Sequence, residues 1–136
     1  MTTLNTVLTV LAIYVSIIVL DYVWLGIITK KFIISEFGSL VRVVDGSIKI
    51  NLTAGLLAWF FIALGCFIFA VNPSGSLGKT LFMGAVFGCI SYSIYDLTNL
   101  TFIADYPLKF IYVDIAWGTF LCCVISGVGF FVRSSV

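Results

Sequence analysis

Apolar positions along this chain gather into four long runs, at about 8–29, 52–71, 80–104 and 108–132. Each is near the length of about 20 residues that crosses a hydrocarbon core as a helix. "NPSGSLGK", Asn72 to Lys79, is a Pro/Gly/Ser break between the second and third runs. "DYP", Asp105 to Pro107, separates the third from the fourth. A connection that short makes its two helices antiparallel neighbours. The pattern predicts an all-α fold: residues 1–136 form a single transmembrane domain, an integral membrane bundle of four transmembrane helices. "MTTLNTVLTV" at the start has neither Lys nor Arg and no evident small-residue cleavage site, so the first run reads as a retained span.

The connection between the first two runs is longer and patterned. In it Ile33, Phe37, Leu40, Val41, Val44 and Ile48 recur at steps of one helical face, while Ser35, Glu36, Ser39 and Arg42 lie mostly off it. This spacing predicts an amphipathic segment over about 31–49, lying as a helix on the membrane surface. Gly38 and the β-branched run "VRVV" pull against a continuous helix.

Composition agrees with the spans. Apolar residues are 62% and charged residues 10% of the chain, against about 25% charged in a soluble domain. Seven Lys and Arg and a net charge of +1 make no basic stripe, so no nucleic-acid partner is expected. Lys30, Lys31, Arg42, Lys49 and Lys109 fall on one side of the bundle, Lys79 and Arg133 on the other. The positive-inside rule then predicts first and third loops in the cytoplasm and both termini outward, across the inner (plasma) membrane of a bacterial source. There is no His, so proton chemistry would fall to carboxylates, tyrosines or lysines. Cys66, Cys89, Cys122 and Cys123 sit in apolar runs without C-x-x-C spacing and read as small hydrophobes. No cofactor and no resident metal is expected.

Three acids interrupt this apolar pattern. Glu36, Asp45 and Asp105 fall in loops, but Asp21, Asp96 and Asp114 fall inside spans. Each lies six to eight residues from the same side, roughly 9–12 Å deep at the helical rise. Each also has a partner three residues on: Trp24 after Asp21, Asn99 after Asp96 and Trp117 after Asp114. On the third run, Gly84, Gly88, Ser91, Tyr92, Tyr95, Asp96 and Asn99 fall within about 140° of arc. That face is expected to turn inward, with Gly84-x-x-x-Gly88 permitting a close helix contact. The candidate binding residues are therefore Asp21, Trp24, Tyr92, Tyr95, Asp96, Thr98, Asn99, Asp114 and Trp117. Trp59, on the second run, reads either as core or as a lipid anchor.

A mid-membrane Asp costs roughly 2.5–3.5 kcal/mol, and no Lys or Arg lies at the depth of these three. Burial and mutual repulsion both oppose three negative charges in one place. Either most of the cluster is protonated at neutral pH, or a bound cation neutralises it.

At "LDYVWLG", "YDLTN" and "VDIAWGT" the sequence resembles a family of predicted bacterial membrane proteins, domain of unknown function 2177. The order and spacing match from about Tyr14 to Thr119. The resemblance implies four transmembrane helices and carries no particular activity. Members of that family usually have a Trp before the Pro-Leu of the third loop, where this chain has Tyr106.

Three functions fit these residues. The first is proton- or cation-linked binding or transport of a small or lipid-like molecule; four short helices leave little room for a pathway in one subunit, so a homo-oligomer is expected. The second is a membrane-embedded lipid-modifying enzyme, with the three acids as general acid and base, or with Asp96, Asp114 and Asn99 as oxygen ligands for a hard divalent ion. The third is a non-catalytic accessory membrane protein in which the acids bond neighbouring helices. The lipid bilayer is the one partner common to all three.

Overall fold

The computed structural model describes residues 2–135. Four helices in it are long and apolar enough to cross a membrane: Thr3–Ile28, Leu52–Val71, Leu77–Phe102 and Leu108–Ser135. The first comprises α1, Thr3–Val23, and a π-helical turn, Trp24–Ile28. After it come the short helix α2, Lys30–Phe37, and a two-stranded hairpin, β1 Val43–Val44 with β2 Ser47–Ile48. The second span is α3, Leu52–Cys66, again with a π-helical end, Phe67–Val71. The third and fourth are α4, Leu77–Phe102, and α5, Leu108–Ser135.

Local chemistry sets the ends. Thr2, Asn51 and Ser76 each cap a helix by accepting a backbone N–H three residues on, from Asn5, Ala54 and Lys79. Pro107 precedes α5, and its carbonyl accepts from Phe110 and Ile111 at 3.1 and 3.4 Å. Asp105 takes φ +57° in the turn before it, a left-handed conformation that Asp tolerates better than most residues. At the opposite end the Arg133 guanidinium donates to the carbonyls of Val71, Asn72 and Ser74. It thereby satisfies oxygens that the end of the second span leaves without helical partners.

The helix expected over about 31–49 stops at Phe37. Gly38 takes φ +52° and ends it, as glycine does at no steric cost. Beyond it the β-branched run and Asp45-Gly46 win. Asp45 and Gly46 take φ +49° and +69°, the two positive angles of a type I′ turn, and Val43 pairs with Ile48 and Val44 with Ser47. The apolar steps that trace a helical face are here divided between a two-turn helix and a hairpin.

Helices α4 and α5 pack closest. A Cβ at Gly84 would lie 2.5 Å from the Cys122 carbonyl oxygen and from Ser126 Oγ, and one at Gly88 would strike the Gly118 carbonyl. The absent side chains are what let the two backbones meet. α1 packs on α5 and α3. The core lies among these three, built from residues such as Ile13, Ile17, Ala63, Cys66, Leu121 and Ile125. The outer surface carries large apolar side chains, among them Phe82, Phe102, Leu4 and Ile27, as a lipid-facing surface does.

Candidate functional site

The site is built at the end of the bundle that carries α2 and the hairpin. Asp21 on α1 is 4% exposed. Its two oxygens each hold one indole: Trp59 on α3 donates Nε1–H to Oδ2 at 2.6 Å, and Trp117 on α5 donates Nε1–H to Oδ1 at 2.8 Å. One carboxyl thus ties three spans together. Tyr14, a heptad earlier on α1, also turns to α3, its hydroxyl donating to the Leu56 carbonyl at 3.2 Å. Trp24 does not bond Asp21. It lies flat on Trp117, ring centroids 4.2 Å apart and planes 4° apart. All three tryptophans of the chain therefore gather around Asp21.

A second station forms around Asp96, which is fully buried. The Tyr106 hydroxyl donates to Oδ1 at 3.0 Å, and the Asn99 amide donates to that hydroxyl at 3.4 Å. Oδ2 of Asp96 is buried with no partner among the described residues. Phe37, the last residue of α2, packs edge-on against Tyr106 and Phe110, at centroid distances of 5.5 and 4.7 Å. Tyr106 and Phe110 also meet edge-on at 6.3 Å, so the three rings form one cluster at the phenol that bonds Asp96. Tyr106 itself lies outside the spans. Burial holds its phenol well above its ordinary range; the Asn99 amide works against this, and the Asp96 carboxyl that accepts its proton adds to it.

Asp114 on α5 is 8% exposed and lies within electrostatic reach of both Asp96 and Asp21. Tyr92 wedges its ring into the space that Gly118 leaves by having no Cβ, within electrostatic reach of Asp21 and Asp114. The donors to Asp21 and Asp96 are two indoles and a phenol, all neutral. Among the described residues no three His, Cys, Asp or Glu side chains converge as metal ligands. Asp21 and Asp96 thus have separate sets of hydrogen-bond partners, and Asp114 lies within electrostatic reach of both.

Two of the expected residues lie elsewhere. Tyr95, 59% exposed, and Thr98 face outward. The buried positions of α4 are Thr80, Gly84, Gly88 and Asp96, a stripe at steps of four. Tyr95 lies one residue, about 100°, off that stripe, and Thr98 about 200° beyond Asp96; the inward arc is narrower than 140°. Conversely, Trp59 and Tyr106 carry the site's hydrogen bonds although their sequence contexts read as core or anchor and as turn. An indole N–H on a span with no acid of its own needs an acceptor when buried, and that is the signal that points to Trp59.

Beside Asp21 opens a cavity of about 670 Å³. Ile18 and Asp21 of α1, Leu56 and Trp59 of α3, and Ile33 and Phe37 of α2 wall it, with the hairpin across its outer end. Its size is that of a pocket for a drug-sized molecule, and its wall is apolar with a few polar groups. Phe37 and Phe110 line it as well, so two of the three rings clustered at Tyr106 also face the cavity.

No curated protein and no solved structure matches the chain. The family described as "Predicted membrane protein (DUF2177)" matches residues 6–131, nearly its whole length, and the chain, with its four membrane-crossing helices around these buried acids, belongs to that family.

Proposed function

We propose that the protein binds a lipid-like molecule in the cavity beside Asp21 and links its occupancy to a proton or a small cation handled by Asp21, Asp96 and Asp114. The observation that carries this reading is the cavity itself: about 670 Å³ of apolar space with a carboxyl fixed in its wall by two indoles. A carboxyl that served only to join helices would need no open volume beside it. The linkage is supported by the neutral character of every donor to Asp21 and Asp96 and by the unpartnered Oδ2 of Asp96, which leave room for a proton or cation.

The three tryptophans make the test direct. Brominated amphiphiles, added to protein in nanodiscs of unbrominated lipid, quench indoles they touch. Binding at the cavity gives saturable quenching beyond that from bromolipid in the bulk bilayer, and Trp59→Phe removes a large share of it. Quenching that only tracks bulk bromolipid sinks the proposal. The linkage is tested by repeating the titration across pH and with added monovalent and divalent cations. Apparent affinity shifts in the wild type and is flattened in Asp96→Asn; an affinity indifferent to both in the wild type removes the linked proton or cation.

A further inference from the structure

We infer that the molecule held in this cavity is a single-chain membrane lipid with an anionic headgroup, seated with its head at Lys30 and Ser47 and its chain running inward past Leu56 and Trp59; this rests on the binding reading above. Tyr22, Ile50 and Leu52 all line the cavity and are 69%, 55% and 58% exposed. Tyr22 lies on the first span, Leu52 begins the second and Ile50 precedes it, so the cavity reaches the surface of the bundle near the ends of these two spans, where a molecule in the bilayer can enter.

Lys30 lines the cavity, and its Nζ donates to Ser47 Oγ, a neutral hydroxyl, at 3.1 Å. An ammonium has three donors, so two remain for a headgroup oxygen. Lys30 follows Asp21 by nine residues and opens α2, beyond the π-helical turn Trp24–Ile28 that ends the first span. The basic group and the carboxyl therefore come from different parts of the cavity wall, the lysine beside the hairpin and the carboxyl within the first span. Asp21 turns both its oxygens to indoles, so the inner wall presents an acyl chain mainly with apolar surface.

Volume selects the number of chains. A cavity of about 670 Å³ falls within the range of about 300–1,000 Å³ that takes drug-sized molecules, a size class that fits a single-chain amphiphile better than a two-chain phospholipid.

The experiment compares headgroups on one chain. Protein in nanodiscs of zwitterionic lipid is titrated with a brominated fatty acid, its neutral monoacylglycerol and a brominated alkyltrimethylammonium, with tryptophan quenching as the readout. The fatty acid binds roughly five- to tenfold more tightly than the neutral compound, the contribution of one lysine at a membrane surface with a charge-assisted hydrogen bond, and the cation binds least. Lys30→Gln brings the fatty acid to the level of the neutral compound and leaves the neutral compound unchanged; Lys79→Gln, at the opposite end of the bundle, alters neither. A brominated two-chain anionic lipid gives no saturable quenching. Equal affinity for all three heads, or an unselective response to Lys30→Gln, overturns the anionic head, and saturable quenching by the two-chain lipid overturns the single chain. If no probe quenches saturably, the binding reading itself fails, which sets that outcome apart from the others.

Discussion

Replacing Asp21 by asparagine tests the two-indole arrangement at the level of single atoms. The carboxyl accepts on both oxygens, from Trp59 at 2.6 Å and Trp117 at 2.8 Å. An amide offers one acceptor and one NH2 donor, so the substituted side chain keeps one indole and points a donor at the other. The stranded N–H would cost about 1–3 kcal/mol in a water-soluble core. Inside a bilayer the unfolded reference also finds partners, and interhelical bonds there average about 0.6 kcal/mol, with a maximum near 1.7. Two short bonds to one carboxyl belong at the upper end of that range, so the expected loss is about 1–2 kcal/mol. At 1.4 kcal/mol per factor of ten, that is a roughly 5- to 30-fold fall in the folded-to-unfolded ratio. Denaturant unfolding in mixed micelles, followed by tryptophan emission, measures it. The sharper readout is a double-mutant cycle with Trp59→Phe. Phenylalanine has no N–H to strand, so the introduced amide can then serve Trp117 alone, and Asp21→Asn should cost little in that background. A coupling energy near 1 kcal/mol or more is expected. Additive effects would refute the claim that both indoles depend on one carboxyl.

Other residues make independent predictions. Tyr106→Phe removes the donor to Asp96 and leaves both oxygens of a fully buried carboxyl without a partner, costing about 1–3 kcal/mol in the same unfolding assay. The phenol also titrates above its ordinary value near 10 because it is buried. A raised folded value contributes stability that is fully present below pH 10 and is lost as pH rises toward the folded value; wild type therefore loses stability in that alkaline window, and Tyr106→Phe lacks this component of the loss. Arg133→Gln withdraws the cap on the carbonyls of Val71, Asn72 and Ser74; hydrogen exchange should speed up in the segment just after Val71 and not at Asn51, at the other end of the same span. Gly88→Ala forces a methyl into the Gly118 carbonyl and should cost about 1–3 kcal/mol by overpacking, whereas Gly78→Ala, with nothing near its Cβ, should be close to neutral.

The spans are legible in the sequence because hydrophobic length is a property of each segment alone. The acids are legible as anomalies for the same reason: an Asp inside an apolar run stands out whatever it touches. Their partners are not. Trp59 and Trp117 lie 38 and 96 residues from Asp21, and periodicity gives a face of a helix without saying which helix it meets. The D-x-x-W spacing suggests a partnership within one helix, but the indoles that bond Asp21 come from two others. The hairpin is written plainly in "VVDGSI", where Asp-Gly between Val43-Val44 and Ser47-Ile48 is a strong local turn signal; the apolar steps of Ile33 to Ile48 suggest a longer helix because those residues also recur at helical spacing. The cavity has no sequence signature at all, since it exists only where α1, α2, α3 and the hairpin leave space between them.

The central claim is that the space beside Asp21 is an amphiphile site. The most direct measurement is an experimental structure of the protein purified from its native membrane without delipidation. The account predicts a single elongated density entering between α1 and α3, its polar end against Lys30 and Ser47 and its chain alongside Leu56 and Trp59. A cavity closed by collapse of Phe37, Leu56 and Ile18 onto one another, with no room for a chain, would contradict it.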